Sequence, residues 1–297
     1  MWCRSSSPLH FAFPGELSLS TAQSQLENKV RGLINLPTLP GIVRRIGFMA
    51  SDASASASQI ADVIATDQVL SAKLLRLVNS PIYGFPGRIS SVTHAVVLLG
   101  FNVVKGLVLS STMFSASGKN GQGLWEHSLG CALISRRIAK ELKMQDPEEV
   151  MMAGLLHDLG KVVLSYLGND EYAGVVEAAR GSGCHVGHAE REHYGVDHAR
   201  VGTWLAHEWH FPNRIAEPMS YHHRPDLAKD CRPIVSIVHL ADILTRGMGY
   251  GDPGDESMPP FNADAFASLG LSMEVLDKIL ADVEHEYASG AGVLTND

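Results

Sequence analysis

The segment from Val150 to Leu164, VMMAGLLHDLGKVVL, constrains the fold more than any other part of this chain. It is predicted to be helical, and its first seven residues are apolar. His157 and Asp158 then stand side by side, followed by Gly160, Lys161 and a second apolar run. Burying such polar groups without partners costs several kcal/mol. The chain must therefore fold so that other elements bring partners to this helix.

The remaining apolar residues have the spacing of amphipathic helices. Leu70, Leu74 and Leu77, for example, fall on one face of a helix expected after Asp67. No segment combines alternating apolar and polar residues with flanking turns, so β-strands are not predicted. The sequence predicts an all-α fold.

Two loops divide the predicted helices. Ser115–Gly123 (SASGKNGQG) has three glycines and almost no apolar side chain, so a domain boundary is expected there. Gly247–Asn262 is a second loop, and a last helical stretch is expected over 263–288. The predicted organisation is a flexible lead-in over 1–24, an N-terminal helical subdomain over 25–115, a second helical domain over 124–246, and a loop with a C-terminal helical extension over 247–297.

Charge and composition argue against several classes of protein. The net charge of −8 and the few basic residues on the helices over 67–78 and 95–114 do not favour nucleic-acid binding. No apolar run reaches the length of a membrane span, and the N-terminus lacks a secretory pattern. The four scattered cysteines include no CxxC pair, which is typical of a reducing compartment. A cytoplasmic protein without membrane contact is expected.

Histidine is abundant, with 14 residues, most of them between 127 and 239. His127 is expected on the inward face of the helix that opens the second domain, where it could be a core histidine bonded to a carbonyl. Asp158 could be the N-cap of the following helix, with Gly160 supplying a bend. Asp242, the single acid of the helix over 233–246, could pair with His239 one turn earlier.

The same residues also form a plausible ligand set for metal. Imidazole with carboxylate suits one or two ions of Fe, Mn, Zn, Ni or Co, and a shared carboxylate can bridge two ions. Two ions could clamp the in-line attack of hydroxide on phosphorus. Lys161, one turn beyond the His157–Asp158 pair, is placed to meet the charge of a phosphate. The candidate ligands are His127, His157, Asp158, His198, His222, His223 and Asp242.

The order His, His-Asp, later histidines and then Asp resembles the HD superfamily of metal-dependent phosphohydrolases. From about residue 33 to residue 245, the chain resembles more closely the HDOD (HD-related output domain) proteins of bacterial signalling. The segments that carry this resemblance are LPTLPGIV (36–43), DQVLSAKLLRLVNSPIYG (67–84), AVVLLGFNVVKGLVL (95–109), AGLLHDLGKVVL (153–164), EREHYGVDHARVGTWLAHEWHFP (190–212) and HH (222–223).

The resemblance implies an N-terminal helical bundle packed on an HD-like bundle. By similarity to HD and HD-GYP enzymes, the core ligands would be His127, His157, Asp158 and Asp242, with Asp158 bridging. His198, His222 and His223 would serve a second metal. Many HDOD members have lost the metal-binding pair, whereas every ligand position is filled here. The GYP tripeptide is missing after His223, so hydrolysis of cyclic-di-GMP is not expected.

Three functional hypotheses remain open at this point. The first is a metal-dependent phosphohydrolase acting on a phosphate ester or nucleotide, with Asp158 and Lys161 as its catalytic residues. The second is a non-enzymatic signalling module that binds a protein partner, with a metal that is structural or absent. The third, redox or diatomic-gas sensing at an iron pair, follows only from the histidine-rich ligand set.

Overall fold

The computed structural model describes residues 19–33, 56–80, 88–116, 119–168 and 170–290, together with residues 45, 46, 49, 83 and 85. Within these residues every regular element is helical, which confirms the all-α prediction. The α-helices, numbered along the chain, are α1 (Leu19–Arg31), α2 (Ala57–Ala65), α3 (Gln68–Val78), α4 (Val92–Leu99), α5 (Phe101–Ala116), α6 (Lys119–Glu141), α7 (Pro147–Leu156), α8 (Leu159–Gly168), α9 (Asp170–Ser182), α10 (Val186–Tyr194), α11 (His198–Glu208), α12 (Asn213–Tyr221), α13 (Arg232–Gly247), α14 (Ala263–Leu269) and α15 (Met273–Gly290).

Local hydrogen bonds fix where the N-terminal helices begin. Ser56 and Gln59 form a capping box at the start of α2, in which Gln59 N donates to Ser56 Oγ at 3.2 Å and Ser56 N donates to Gln59 Oε1 at 2.7 Å. Asp67 caps α3 by accepting from Leu70 N at 3.0 Å. Helices α2 to α5 pack against one another and bury the predicted leucine stripe of α3.

The HD-like bundle is built around α6. This helix packs against α7, α13 and α15, while α11 lies against α8 and α12. Helix α5 packs on α6, α7 and α8, so the N-terminal bundle and the HD-like bundle share one apolar core. This arrangement confirms the bundle-on-bundle architecture. Helix α1 crosses to the HD-like part, where it contacts α10 and α11.

One long apolar stretch of the described chain is a core element. Pro147–Gly168, which comprises α7, α8 and the turn between them, is long and apolar enough to cross a membrane, and the bent pair α4–α5 passes the same test. However, 89% of the most apolar window of Pro147–Gly168 is buried inside the fold. Such burial is typical of a helix at the centre of a globular core.

The loop expected over 115–123 is mostly helical. Helix α5 continues to Ala116 and α6 begins at Lys119, so that prediction was wrong except at residues 117 and 118, which lie outside the described residues. A Cβ at Gly123 would lie 2.7 Å from Asp252 Cβ, and Gly123 O accepts from Asp252 N at 2.9 Å. The glycine here permits the close packing of a second segment and does not mark a flexible linker.

Two further boundaries differ from expectation. Residues 19–24, assigned to a flexible lead-in, belong to α1. The last helical stretch is two helices, because Gly270 ends α14 in the left-handed conformation with φ of 62°. The other residues of the lead-in, 1–18, lie outside the described part of the chain.

Candidate metal centre

Five parts of the HD-like bundle converge on one buried cluster. The contributing positions are His127 on α6, His157 and Asp158 in the turn between α7 and α8, His198 at the start of α11, His222 and His223 directly after α12, and Asp242 on α13. All seven candidate ligands therefore lie together. Six are at most 1% exposed, and the His223 side chain is 15% exposed.

The Asp158 carboxylate lies between two groups of imidazoles. Its Oδ2 is 3.7 Å from His127 Nε2 and 3.4 Å from His157 Nε2. Its Oδ1 is 3.3 Å from His198 Nε2 and 3.5 Å from His222 Nε2. Each of its oxygens thus faces a different half of the cluster, as a carboxylate that bridges two ions would.

The other members complete the two halves. Asp242 Oδ1 lies 3.2 Å from His127 Nε2, and Asp242 Oδ2 lies 3.8 Å from His223 Nδ1. Two sets of ligand atoms each lie within 4.8 Å of one another, and both contain Asp158. The sets are His127, His157 and Asp158 on one side, and Asp158, His198, His222 and His223 on the other.

Hydrogen bonds at the far side of three rings fix their tautomers. His157 Nδ1 lies 2.7 Å from Gly154 O, and His222 Nδ1 lies 3.0 Å from Pro218 O. A carbonyl oxygen only accepts, so both Nδ1 atoms carry a proton, and Nε2 is the atom of each ring that can offer a lone pair to a metal. His198 Nδ1 similarly donates to Glu190 Oε2 at 2.6 Å. Metal-binding histidines are oriented in this way.

The atoms that point into the cluster lack partners. Buried polar atoms are nearly always hydrogen-bonded, so orphaned acceptors facing one another call for a cation between them. The buried atoms of the cluster without a hydrogen-bond partner include Nε2 of His127, His157 and His222, Oδ1 of Asp158 and Oδ2 of Asp242. Nitrogen and carboxylate ligands of this kind fit a divalent transition metal.

The charges buried around the cluster also favour a cation. The carboxylates are those of Asp158, Asp242, Glu190 and Asp255, whereas the permanent cations are Lys161 and Arg246. When the imidazoles are neutral, as metal ligation requires, these groups carry two more negative than positive charges in a region shielded from water. One divalent ion would balance this excess.

Both central carboxylates are held in the ionised form. Burial alone would raise the pKa of Asp158, but the nearby charges of His157 and Lys161 outweigh it and hold that pKa well below its usual range. Burial opposes ionisation of Asp242 too, and the Arg246 guanidinium keeps its pKa well below the usual range. Arg246 Nε donates to Asp242 Oδ1 at 3.0 Å.

Lys161 lies inside the centre and is 1% exposed. Its Nζ donates to Asp158 Oδ2 at 2.7 Å and to Pro253 O at 3.0 Å. The ammonium group is therefore adjacent to the Asp158 carboxylate, and two of its three donors are already used.

A close contact between two helices brings Asp158 to His198. A Cβ at Gly160 would lie 2.0 Å from His198 O, so only glycine allows α8 to approach α11 this closely. The chain turns at His157 and Asp158, before Gly160, which is itself helical. Gly160 thus contributes close packing, and the expected bend at this residue is not where the turn occurs.

The simpler alternatives for these residues are not observed. Asp158 Oδ1 has no hydrogen-bond partner and Oδ2 binds Lys161, so the carboxylate does not cap α8. Neither ring nitrogen of His127 forms a hydrogen bond, which excludes a carbonyl-bonded core histidine. His239 donates from Nδ1 to His222 O at 2.7 Å and accepts at Nε2 from Asn262 N at 3.1 Å, so both nitrogens are used away from Asp242.

Several residues of the site were not predicted from the sequence. Arg246 lies four residues after Asp242 on one helix, a spacing that could have identified the pair. Glu190, by contrast, reaches His198 across the turn between α10 and α11, and Tyr172 OH donates to its Oε1 at 2.7 Å. Helical periodicity gives no signal for that contact. His185, which precedes α10, also lies beside the cluster, with its ring 4.7 Å from that of His223 between centroids.

Residues 250–258, the cover loop, lie over the centre. Pro253 O accepts from Lys161, and Asp255 Oδ2 accepts from Val186 N at 2.9 Å. A Cβ at Gly251, where φ is 69°, would lie 2.2 Å from His127 N. The cover loop is therefore attached to the elements that carry the ligands, and it helps to enclose them.

Comparison with known proteins agrees with this fold. The model of the HDOD domain family matches residues 36–225. The chain belongs to the HDOD family. An HDOD domain protein of unknown function from Geobacter sulfurreducens is 28% identical, with a TM-score of 0.67 over 92% of this chain and 98% of that one. A proposed phosphohydrolase from Shewanella amazonensis SB2B is 23% identical, with a TM-score of 0.66 over 92% and 98% of the two chains.

One further solved structure and one curated sequence are also similar to this HDOD chain. A proposed signal transduction protein from Marinobacter aquaeolei VT8 has the same fold, with 19% identity and a TM-score of 0.63 over 94% of this chain and 66% of that one. An uncharacterised protein of Treponema pallidum is 25% identical over 82% of this chain. The chain spans 48% of that relative, about half its length.

Proposed function

We propose that this HDOD protein binds one or two divalent transition metal ions at the His/Asp cluster and hydrolyses a phosphate ester or nucleotide in a signalling pathway. The observation that carries the proposal is the convergence of buried acceptor atoms on Asp158, with imidazoles whose tautomers are fixed for ligation. We expect the same ligands as the sequence predicts. One ion would be bound by His127, His157, Asp158 and Asp242, and the other by Asp158, His198, His222 and His223.

The protein groups have separable tasks in this proposal. Bound metal would supply Lewis-acid polarisation of the phosphoryl oxygens and activation of water. Asp158 fixes the spacing of the two halves, and Glu190 orients His198 through its 2.6 Å hydrogen bond. Lys161 keeps Asp158 ionised and adds positive charge beside the phosphate. The low exposure of the ligands keeps bulk water away and strengthens these electrostatic interactions.

A second function is favoured by the enclosure of the centre. Because six of the seven ligands are at most 1% exposed and the cover loop is hydrogen-bonded across the site, a metal could serve mainly to hold five parts of the fold together. The protein would then be a non-enzymatic signalling module that acts by binding a protein partner. Proposed roles of structural relatives include both phosphohydrolase and signal transduction protein.

Elemental analysis of the purified protein tests the metal part of the proposal. We expect one or two equivalents of transition metal in the native protein and a loss of most of it in Asp158→Ala. His188→Ala is the matched control, because His188 is an exposed histidine outside the cluster, 56% exposed at its side chain. Unchanged metal content in Asp158→Ala would show that the cluster is not the metal site.

Hydrolysis assays distinguish the two functions. The metal-loaded protein, Asp158→Ala and His188→Ala are assayed against phosphomonoesters, cyclic nucleotides, cyclic dinucleotides and nucleotides. Turnover that is lost only in Asp158→Ala supports the enzyme. Metal binding without turnover on any of these substrates supports the signalling module, and recovery of a specific partner by the metal-loaded protein would then define its role.

A further inference from the structure

His185 stands beside the candidate metal centre in the opposite tautomer from His157, His198 and His222. It is the N-cap of α10, and its Nδ1 accepts a hydrogen bond from Gly187 N at 3.2 Å. A backbone amide only donates, so Nδ1 presents its lone pair and carries no proton. The single proton of the neutral ring is therefore on Nε2. In His157, His198 and His222, Nδ1 carries a proton, and Nε2 is the atom that can offer a lone pair to a metal.

The ring of His185 lies against the second half of the cluster. Its centroid is 4.7 Å from that of His223 and 6.2 Å from that of His198. Among the described residues, its Nε2 is buried and has no hydrogen-bond partner. The charged side chains of Lys161, Asp255 and Arg246, which lie around the same centre, interact electrostatically with the His185 ring. An N–H donor is thus left unsatisfied at the edge of the candidate metal centre.

This tautomer does not suit metal ligation. A ligand nitrogen must offer a lone pair to the ion, and the lone pair of His185 is directed to Gly187 N. The group that would satisfy its Nε2–H is an acceptor oxygen held at the metal centre. The oxygens of a phosphoryl group are such acceptors, and a donor to an anion forms a stronger hydrogen bond than a donor to a neutral group.

We infer that His185 is an anion-binding residue of this centre, whose Nε2–H donates to an oxygen of a metal-held phosphoryl group. This inference rests on the proposed function, because the phosphoryl group is held by the metal. It deepens that function by assigning recognition of the tetrahedral oxyanion to a neutral side chain that the ligand set does not include. Lys161 can add charge, but its Nζ already donates to Asp158 and Pro253 O.

The test uses His185→Ser. Serine is a preferred N-cap, so its hydroxyl can still accept from the first turn of α10, but it removes the imidazole donor. His188→Ser is the control, since His188 is exposed on the same helix. Binding of inorganic phosphate to the full-length, metal-loaded proteins is measured by isothermal titration calorimetry, together with metal content by elemental analysis and folding by thermal melting.

We expect His185→Ser to retain the metal and to bind phosphate about 10- to 100-fold more weakly than the native protein and His188→Ser, as expected for loss of one hydrogen bond to a charged acceptor. Unchanged phosphate affinity would show that His185 is only a helix cap and would overturn the inference. Loss of metal from His185→Ser would overturn it as well, because His185 would then be a ligand.

The failure of the proposed function has a different signature. If the native protein holds no metal, the proposed function itself is wrong and the inference falls with it. If the native protein holds metal but binds no phosphate, only the inference and the hydrolytic part of the proposal are overturned. If His185→Ser fails to fold, His185→Thr, which keeps a capping hydroxyl and also lacks the ring donor, carries the same comparison.

Discussion

At the scale of single residues, one hydrogen bond decides what each imidazole of the centre can do. Where Nδ1 donates, as in His157 and His222, Nε2 faces Asp158 and is the atom available to a metal. Where Nδ1 accepts, as in His185, the ring offers a donor to the same region. Side chains of the same type therefore have opposite roles, which the partner atoms outside the cluster determine.

Glu190 offers a residue-scale test of this dependence. It accepts from both Nδ1 and the backbone N of His198, at 2.6 and 2.7 Å. Glu190→Gln removes the negative charge that favours donation by His198, so we expect metal affinity to fall about 10- to 100-fold. Competition with a fluorescent chelator measures this affinity. Tyr172→Phe is the control, because it leaves both contacts of His198 in place. An equal loss in both variants would indicate a general packing defect.

At the scale of elements, the site exists because α8 and α11 approach closely at Gly160. Neither helix holds both Asp158 and His198, and the contact between the helices sets the distance between the two side chains. Helix α11 is also fixed at its other end. Lys105 of α5 donates from Nζ to Trp209 O and His210 O, each at 3.1 Å, and so satisfies carbonyls at the end of α11.

Gly160→Ala is expected to destabilise the protein by about 3 kcal/mol or more, because the new methyl group would overlap the backbone of α11. The metal content should fall with it, since α8 and α11 must separate. Gly174→Ala is the control. Gly174 lies within α9 with no atom near its Cβ position, so alanine there should be neutral or stabilising by up to about 1 kcal/mol. Urea denaturation measures both effects, and similar values for the two variants would contradict the close-packing role.

Lys105 gives a pH dependence with a definite sign. Burial lowers its pKa from 10.5 to about 8. Between these values the unfolded chain binds more protons than the folded one, so the contribution of Lys105 to stability increases as pH rises and is lost as pH falls through about 8. We expect the free energy of unfolding of native protein relative to Lys105→Met to grow from pH 7 to pH 10, by at most about 3 kcal/mol. A constant difference across this range would contradict the buried, weakly basic lysine.

At the scale of the whole molecule, the centre connects α6, the α7–α8 turn, α11, the residues after α12, and α13. Helix α5 adds the N-terminal bundle to this framework through the shared core. A ligand that binds only the folded state stabilises the fold by mass action. Metal binding and global stability should therefore be coupled.

Calorimetric scans with and without EDTA test that coupling. We expect removal of metal to lower the Tm of the native protein by about 5 °C or more, since saturating a tight site contributes several kcal/mol. Asp158→Ala should show no such shift, whereas His188→Ala should behave as the native protein does. A Tm that is insensitive to EDTA in a protein shown to contain metal would mean that the ion does not connect these elements.

Much of this arrangement could be predicted from local patterns. Apolar spacing predicted the all-α fold, and His157–Asp158 within an apolar helix predicted a buried polar centre. Polar residues on otherwise apolar faces identified His127 and Asp242, whereas the roles of His198, His222 and His223 came from the resemblance to HD proteins. The prediction of a loop at 115–123 was wrong because the sequence does not distinguish a glycine that permits close packing from one in a flexible linker. Gly123, which packs against Asp252, is of the first kind.

The sequence by itself determined the helices and the set of side chains that had to be buried together, because both follow from the spacing of apolar and polar residues along the chain. Only the tertiary structure decided how those side chains act. The contacts of His198 with Glu190, of Lys161 with Pro253 O and of His185 with the cluster join residues from different elements. The tautomer, charge and exposure of each side chain depend on such contacts, which the spacing of residues along the sequence does not predict.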